Sequence, residues 1–320
     1  MAGHLEGSKS QVNHWLLSGD ASIRWQAQRD LFGAKPVTWR QERKRVATHG
    51  WGARILAQQA VDGTWGGGIY SPKWTSTAYS LILLRRLGLE RDHPAASKGC
   101  RVLLDRGDSD DGGVDLSVGL NRSETCITGF VLALVSYFRL ATPRVEEILS
   151  YLLREQMPDG GWNCLRYRGA THSSFHTTIN VLEGLRLYAE AKGERTREVE
   201  AAEQRAREFF LRHALYRSHR TGRVVKAEFT RFSFPPRWHH DVLRALDYFR
   251  ESEAQYDSRL EDPVELLLRK RRKDGKWPLQ NRHPGRTLFE MEKLGQPSRW
   301  NSLRALRVLQ WWADIGGVAT

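Results

Sequence analysis

Apolar positions in this chain recur every three or four residues in blocks of ten to sixteen, the period of an α-helix packed on one face. In "VEEILSYLLREQ" (145–156) the apolar set Val145, Ile148, Leu149 and Leu152 forms one stripe, predicting an amphipathic helix. "ASKGCRVLLDR" reads the same way. Each such block is followed by a more apolar one: "TSTAYSLILLRRLG", "SETCITGFVLALVSYF", "SFHTTINVLEGLRLY", "RWHHDVLRALDYF" and "SRWNSLRALRVLQWW". The second helices begin near Thr77, Glu124, His176, His240 and Asn301, in steps of 47, 52, 64 and 61 residues. The unit is therefore an outer and inner helix pair of roughly 50 residues, a length typical of helical repeats. "SQVNHWLLSGD" and "SIRWQAQRDLFG" predict a further pair near residues 10–34, ahead of repeats spanning about 50–313.

Between helices one turn recurs: "QQAVDGTWGGG" (58–68), "DSDDGG" (108–113), "EQMPDGGWNC" (155–164) and "RKRRKDGKWPLQ" (269–280). The Asp-Gly or Gly-Gly pair supplies the positive φ needed to reverse the chain, and the indole can plug the gap between helix ends. The expected fold is all-α, an alpha/alpha toroid of five to six outer and inner pairs forming a single domain over residues 1–320. Strong apolarity of the inner set favours closure, since inner helices of a ring are surrounded on nearly all sides. An open solenoid is the alternative.

With 40% hydrophobic residues the chain can bury a large core. No run reaches the roughly 18 to 20 apolar residues needed to span a bilayer, and "MAGHLEGSKSQVNHW" lacks the apolar core of a secretory signal, so a cytoplasmic protein is expected. Cys100, Cys126 and Cys164 make an odd set, which points to free thiols or a metal ligand rather than a disulfide framework. A net charge of +13 favours an acidic partner, whether a phosphorylated small molecule, nucleic acid or an anionic surface. The basic runs 40–45 and 269–276 read first as solvated helix faces or ends.

If the ring closes, the inner helices run the same way and their N-termini converge on one mouth, with positive dipole ends and unpaired N–H groups. The residues there are chemically rich: Trp74; Arg122, Glu124 and Cys126; His172 and His176; Arg237, Trp238, His240 and Asp241; Arg299 and Trp300. His240 beside Asp241, with His172, could serve acid–base chemistry, because imidazole titrates near neutral pH. The three arginines could hold a phosphate or carboxylate, and the tryptophans could wall a cavity for a small substrate. Capping, loop tethering and surface solvation account for the same residues, and Ser123 and Thr177 read simply as first-turn caps.

The repeated turn with glutamine, glycine and tryptophan resembles the repeat of squalene and hopene cyclases, a superfamily that includes the beta subunits of protein prenyltransferases and shares an alpha/alpha toroid. The resemblance runs from about Trp51 to Trp312. A second likeness is local. Prenyltransferase beta subunits carry zinc on an Asp-x-Cys pair opening one inner helix and on a His-Thr opening the next, each after a Gly-Gly turn. Here Gly112-Gly113 leads to Glu124-Thr125-Cys126, and Gly160-Gly161 leads to His176-Thr177. The resemblance implies zinc held by Glu124, Cys126 and His176, with Cys164 or His172 as substitutes for Glu124. Glutamate stands where the family has aspartate, and Ile127 follows where an aromatic residue often does. Three protein ligands leave a fourth position for water or substrate, as in catalytic zinc sites.

Asp108-Ser109-Asp110-Asp111 spells the Asp-x-Asp-Asp pattern with which class II terpene cyclases protonate an alkene, but Gly112-Gly113 places it in a connecting turn. The expected function is thus a zinc-dependent enzyme of the prenyltransferase and squalene-cyclase type, acting on a small apolar or isoprenoid-like substrate with an anionic group; zinc activating water would make it a hydrolase or lyase. The alternatives are a metal-independent cyclase using an aspartic acid and a non-catalytic basic module binding nucleic acid or an acidic protein.

Overall fold

Among the described residues six inner helices surround a lumen: α2 (Ala21–Asp30), α5 (Thr77–Leu87), α7 (Thr125–Tyr137), α9 (Phe175–Lys192), α11 (Val242–Glu251) and α13 (Arg299–Asp314). Outside them run α3 (Pro36–Lys44) with the short α4 (Gly50–Leu56), α6 (Pro94–Arg106), α8 (Arg144–Arg154), α10 (Arg197–Arg212) and α12 (Glu261–Arg269). A helical stretch over 11–17 precedes α2 and is counted as α1. The computed structural model describes residues 11–117 and 122–317; the expected start of the first pair at residue 10 lies outside them. Among the described residues there are isolated β-bridges but no strands. The inner helices begin within two residues of the positions their apolar patterns predict.

The two helix classes differ in burial as their sequences require. In α8 the buried positions are Val145, Ile148, Leu149, Tyr151 and Leu152, one face only. In α7 every residue but Cys126 is buried, and each fully buried Leu, Ile or Phe stabilises by about 1.5–3 kcal/mol. Two glycines let α7 and α9 approach backbone to backbone. A Cβ on Gly184 would lie 2.5 Å from the Gly129 carbonyl oxygen, and one on Gly129 would lie 2.9 Å from the Val181 nitrogen.

The recurring turn is a hydrogen-bonded module. The indoles of Trp65, Trp162 and Trp277 each donate to a carbonyl ten residues earlier, Ile55, Leu152 and Leu267, at 2.7 Å. Their backbone N–H groups donate to hydroxyls of the following inner helix, Thr77, Thr178 and Ser302. Gln59 and Gln156 donate both to their own turn, at Gly63 and Gly160, and to the next outer helix, at Ala95 and Ala202. In the second repeat Val114 replaces tryptophan yet keeps the N–H bond, to the Thr128 hydroxyl.

These pairs curl into a closed ring. Arg307 of α13 donates to Gln26 and pairs with Asp30 of α2, while Arg299 donates to the Trp15 carbonyl. On the other side of α2, Trp25 donates to the Leu87 carbonyl at the end of α5. A belt of ion pairs crosses the interior: Glu183 of α9 joins Arg85 and Arg86 of α5 to Arg244 of α11, and Asp247 of α11 joins Arg304 and Arg307 of α13. The all-α toroid is therefore closed, not an open solenoid.

Candidate functional site

At the N-terminal mouth Glu124 occupies the residue before α7, where its N–H donates to the Val114 carbonyl and its carbonyl accepts from Thr128. Cys126 follows in the first turn, partly open to the mouth. Cys164 arrives from the neighbouring turn, two residues beyond Trp162, whose bonds to Leu152 and Thr178 fix the segment. Ligand atoms of Glu124, Cys126 and Cys164 lie within 4.8 Å of one another. Cys126 hydrogen-bonds to Cys164, which with burial pushes the Cys126 thiol well up. That bond, with one from the Thr177 hydroxyl, brings Cys164 down to about 7. Glu124 also accepts from the Ser117 hydroxyl at 2.7 Å.

His176, the ligand implied by resemblance, does not join this group. Its Nδ1 accepts from the His240 N–H at 2.9 Å, and its ring packs among Phe229, Trp238 and His239. The third donor beside Glu124 and Cys126 is Cys164, which the sequence offers only as a substitute. His172 is exposed, its carbonyl accepting from Asn163.

The expected acid–base pair also takes a structural role. Asp241 caps α11, accepting from Arg244 N–H and from Ser233. His240, 2% exposed, bonds the Leu215 carbonyl through Nε2 and packs among Phe175, Phe210 and Phe229. The imidazoles that stand at the mouth are His239 and His283, stacked with ring centres 3.8 Å apart, and Trp238 stacks on the other side of His239. Burial lowers His239 to about 2 and His283 to about 4, so both are neutral at pH 7. His283 comes from the loop between α12 and α13, a partner that no local pattern announces.

Beneath this stack lies a chamber of about 50 Å³, lined by Trp74, Tyr79, Leu83, Phe234 and Arg237 and, on the side of the covering segment, by Glu290 and Glu292. The segment 282–292 covers it, pinned where the Trp74 indole donates to the His283 and Pro284 carbonyls and the Trp74 N–H donates to the Arg286 carbonyl. Tyr70 faces Tyr79 at 5.3 Å, and Lys73 Nζ sits over the rings of Tyr70, Trp74 and Trp238. Among the predicted arginines only Arg237 reaches the lumen. It is 6% exposed with φ of 56°, lies over Trp74, and its Nη1 has no hydrogen-bond partner among the described residues. A non-glycine residue in the left-handed region is strained and tends to occur at functional positions. Arg122 is exposed over Tyr167, and Arg299 tethers Trp15 and Ser18. Trp300 stacks on Phe234, ring centres 4.0 Å apart, and closes the floor.

Asp108, Asp110 and Asp111 are exposed and do not line the chamber. Asp108 pairs with Arg144, while Asp111 accepts from the Gly113 N–H and the Ser123 hydroxyl. Asp62 and Asp159 brace the equivalent turns, which identifies Asp111 as part of the repeat. The basic runs are largely engaged: Arg43 donates to the carbonyls of Gly88 and Leu89, and Arg269 and Arg272 pair with Glu265 and Asp274. No helix among the described residues is long and apolar enough to cross a membrane.

No family model and no curated protein matches the chain. Among solved structures it is similar to a protein from Actinoplanes, at 17% identity and a TM-score of 0.47 over 92% of this chain and 90% of that one. It is also similar to the type II terpene cyclase MstE from Scytonema, at 13% identity and a TM-score of 0.35 over 86% of this chain and 98% of that one. A variant of that cyclase in complex with geranylgeranyl dihydroxybenzoate gives 13% identity and a TM-score of 0.36 over 86% and 97%.

Proposed function

We propose that the N-terminal mouth is the active end of a metal-dependent enzyme, with zinc held by Glu124, Cys126 and Cys164 and a small apolar or isoprenoid-like anionic substrate in the adjoining chamber. The observation that carries this reading is the convergence of one carboxylate and two thiols, from two successive repeats, within 4.8 Å. Thiolate and carboxylate donors together suit a borderline-soft ion such as zinc. Bound there, it would supply Lewis acidity and a coordination position for a reacting group.

The protein's own groups divide the remaining work. Arg237, buried beside Trp74 with a free N–H, would bind the substrate's anionic group. Trp74, Tyr79 and Phe234 would hold its apolar part, and the segment 282–292 would exclude water. His239 and His283, held neutral by burial and standing at the mouth, are better placed than His240 to hydrogen-bond the substrate. The reading takes residues 1–320 as one toroid domain and the reaction as group transfer or cyclisation.

Metal analysis of purified protein tests it. About one zinc per chain is expected, lost in Cys126→Ser and in Cys164→Ser and retained in His176→Gln. Unmutated protein without stoichiometric metal, or metal retained in both cysteine variants, ends the proposal; loss confined to His176→Gln would return the role to that histidine.

A further inference from the structure

The lumen has a second opening at the C-terminal ends of the inner helices, separated from the chamber by the Phe234–Trp300 stack. This basin has a volume of about 400 Å³, the size range of small-molecule sites. Among the described residues nine arginines and five carboxylates line it. The buried pair behind its wall, Arg244 with Glu183, leaves that imbalance unchanged. Arginine near a helix C-terminus is favoured by the dipole, but the dipole gives no reason for four guanidinium charges in excess inside a lumen.

The N–H groups are not all used. Arg85 Nε, Arg86 Nε, Arg186 Nε and Arg304 Nη2 are buried without a hydrogen-bond partner among the described residues, and all four residues line the basin. Arg304 is 2% exposed; its other nitrogens are fixed on Asp247 and the Ser233 carbonyl, so its guanidinium is held rigidly. A buried donor of a charged group left unmet is unfavourable, so each is satisfied where a suitable acceptor can reach it. Four such donors belong to arginines from three different inner helices, α5, α9 and α13, that line one basin, and guanidinium groups are suited to an oxyanion. Indole and phenyl faces at the floor offer an apolar platform beside it.

We infer that the basin binds a phosphorylated small molecule, its phosphate among Arg85, Arg86, Arg186 and Arg304 and its apolar part against Phe234 and Trp300. This site is distinct from the thiol and carboxylate group at the opposite mouth and stands whether or not that group holds a metal.

Calorimetric titration of the unmutated, full-length protein with phenyl phosphate, and separately with inorganic phosphate, at fixed ionic strength tests the assignment. Saturable one-site binding is expected, with phenyl phosphate at least about 10-fold tighter because it adds apolar contact. Arg304→Met should weaken phenyl phosphate by about 10-fold or more. The double variant Arg85→Gln with Arg186→Gln, which leaves the Asp247 pairs of Arg304 in place, should do the same if Arg304→Met fails to fold. Arg122→Gln, on the far rim, should bind as the unmutated protein does. No saturable heat with either anion, equal affinity for the two, or unchanged affinity in folded basin variants would overturn the inference.

Discussion

Replacing Glu183 by glutamine removes one charge while keeping shape, and it tests whether the ion-pair belt holds the ring together. Glu183 is 5% exposed and accepts from Arg244 Nε at 2.8 Å, Arg85 Nη2 at 2.6 Å and Arg86 Nη2 at 2.9 Å. Burial alone would raise its pKa, but Arg244, Arg86 and Arg85 together hold it well below the usual carboxylate range. In Glu183→Gln the side chain offers one weaker acceptor and turns an NH₂ toward guanidinium donors, leaving buried cations uncompensated. Removing one partner of a buried pair costs about 3–5 kcal/mol, so a loss near 4 kcal/mol is expected. That is a large share of a typical stability of about 5–15 kcal/mol. Urea unfolding of the two proteins, extrapolated linearly to water, measures it. The comparison variant is Glu190→Gln, whose carboxylate is 40% exposed and pairs with Arg91 and Arg186; it should cost no more than about 1 kcal/mol. Equal, small effects in both variants would refute the reasoning, because the belt would then behave as solvated charge.

The buried histidines and the α7–α9 seam give two further expected outcomes. His176, His239 and His283 are held neutral by burial, at about 4, about 2 and about 4, whereas an unfolded histidine titrates near about 6.5. The unfolded chain therefore binds protons that the folded one refuses as pH falls from about 6.5 to 4. Stability is fully present above that window and is lost through it by up to about 3 kcal/mol per histidine; urea midpoints unchanged between pH 7.5 and 4.5 would contradict this. Gly184→Ala, forcing a methyl against the Gly129 carbonyl, should destabilise by about 2–3 kcal/mol, and a thermal midpoint equal to that of the unmutated protein would mean that α7 and α9 can separate without cost.

The helical repeat was legible because each repeat states its pattern locally. An amphipathic block, an Asp-Gly turn and an apolar block are contiguous in sequence, and the tryptophan bond spans only ten residues. Closure was legible for a coarser reason, the apolarity of α7 and its neighbours. What no periodicity could announce is that the lumen would be crossed by arginines. Arg85 and Arg86 look like ordinary basic residues in a last helical turn, and only the ring brings Glu183, 97 residues away from Arg86, between them.

Of the candidate site, the closeness of Glu124 and Cys126 was legible and the approach of Cys164 was not, and the difference is geometric. Glu124 and Cys126 are two apart and meet through one helix start, whereas Cys164 is brought to them by a separate turn whose path depends on Trp162 being anchored at both its nitrogens. The same rule separates His239 from His240. Because Asp241 caps α11, the residue before it is drawn back over Phe210 and Phe229 and the one before that is left at the mouth. A histidine pair in sequence thus becomes one core residue and one residue stacked on His283 from another loop. Chemistry at this rim is set by where each inner helix begins, to within one residue. Shifting the α11 cap by substituting Asp241 should therefore alter the environments of both imidazoles at once, with no residue of the thiol group touched.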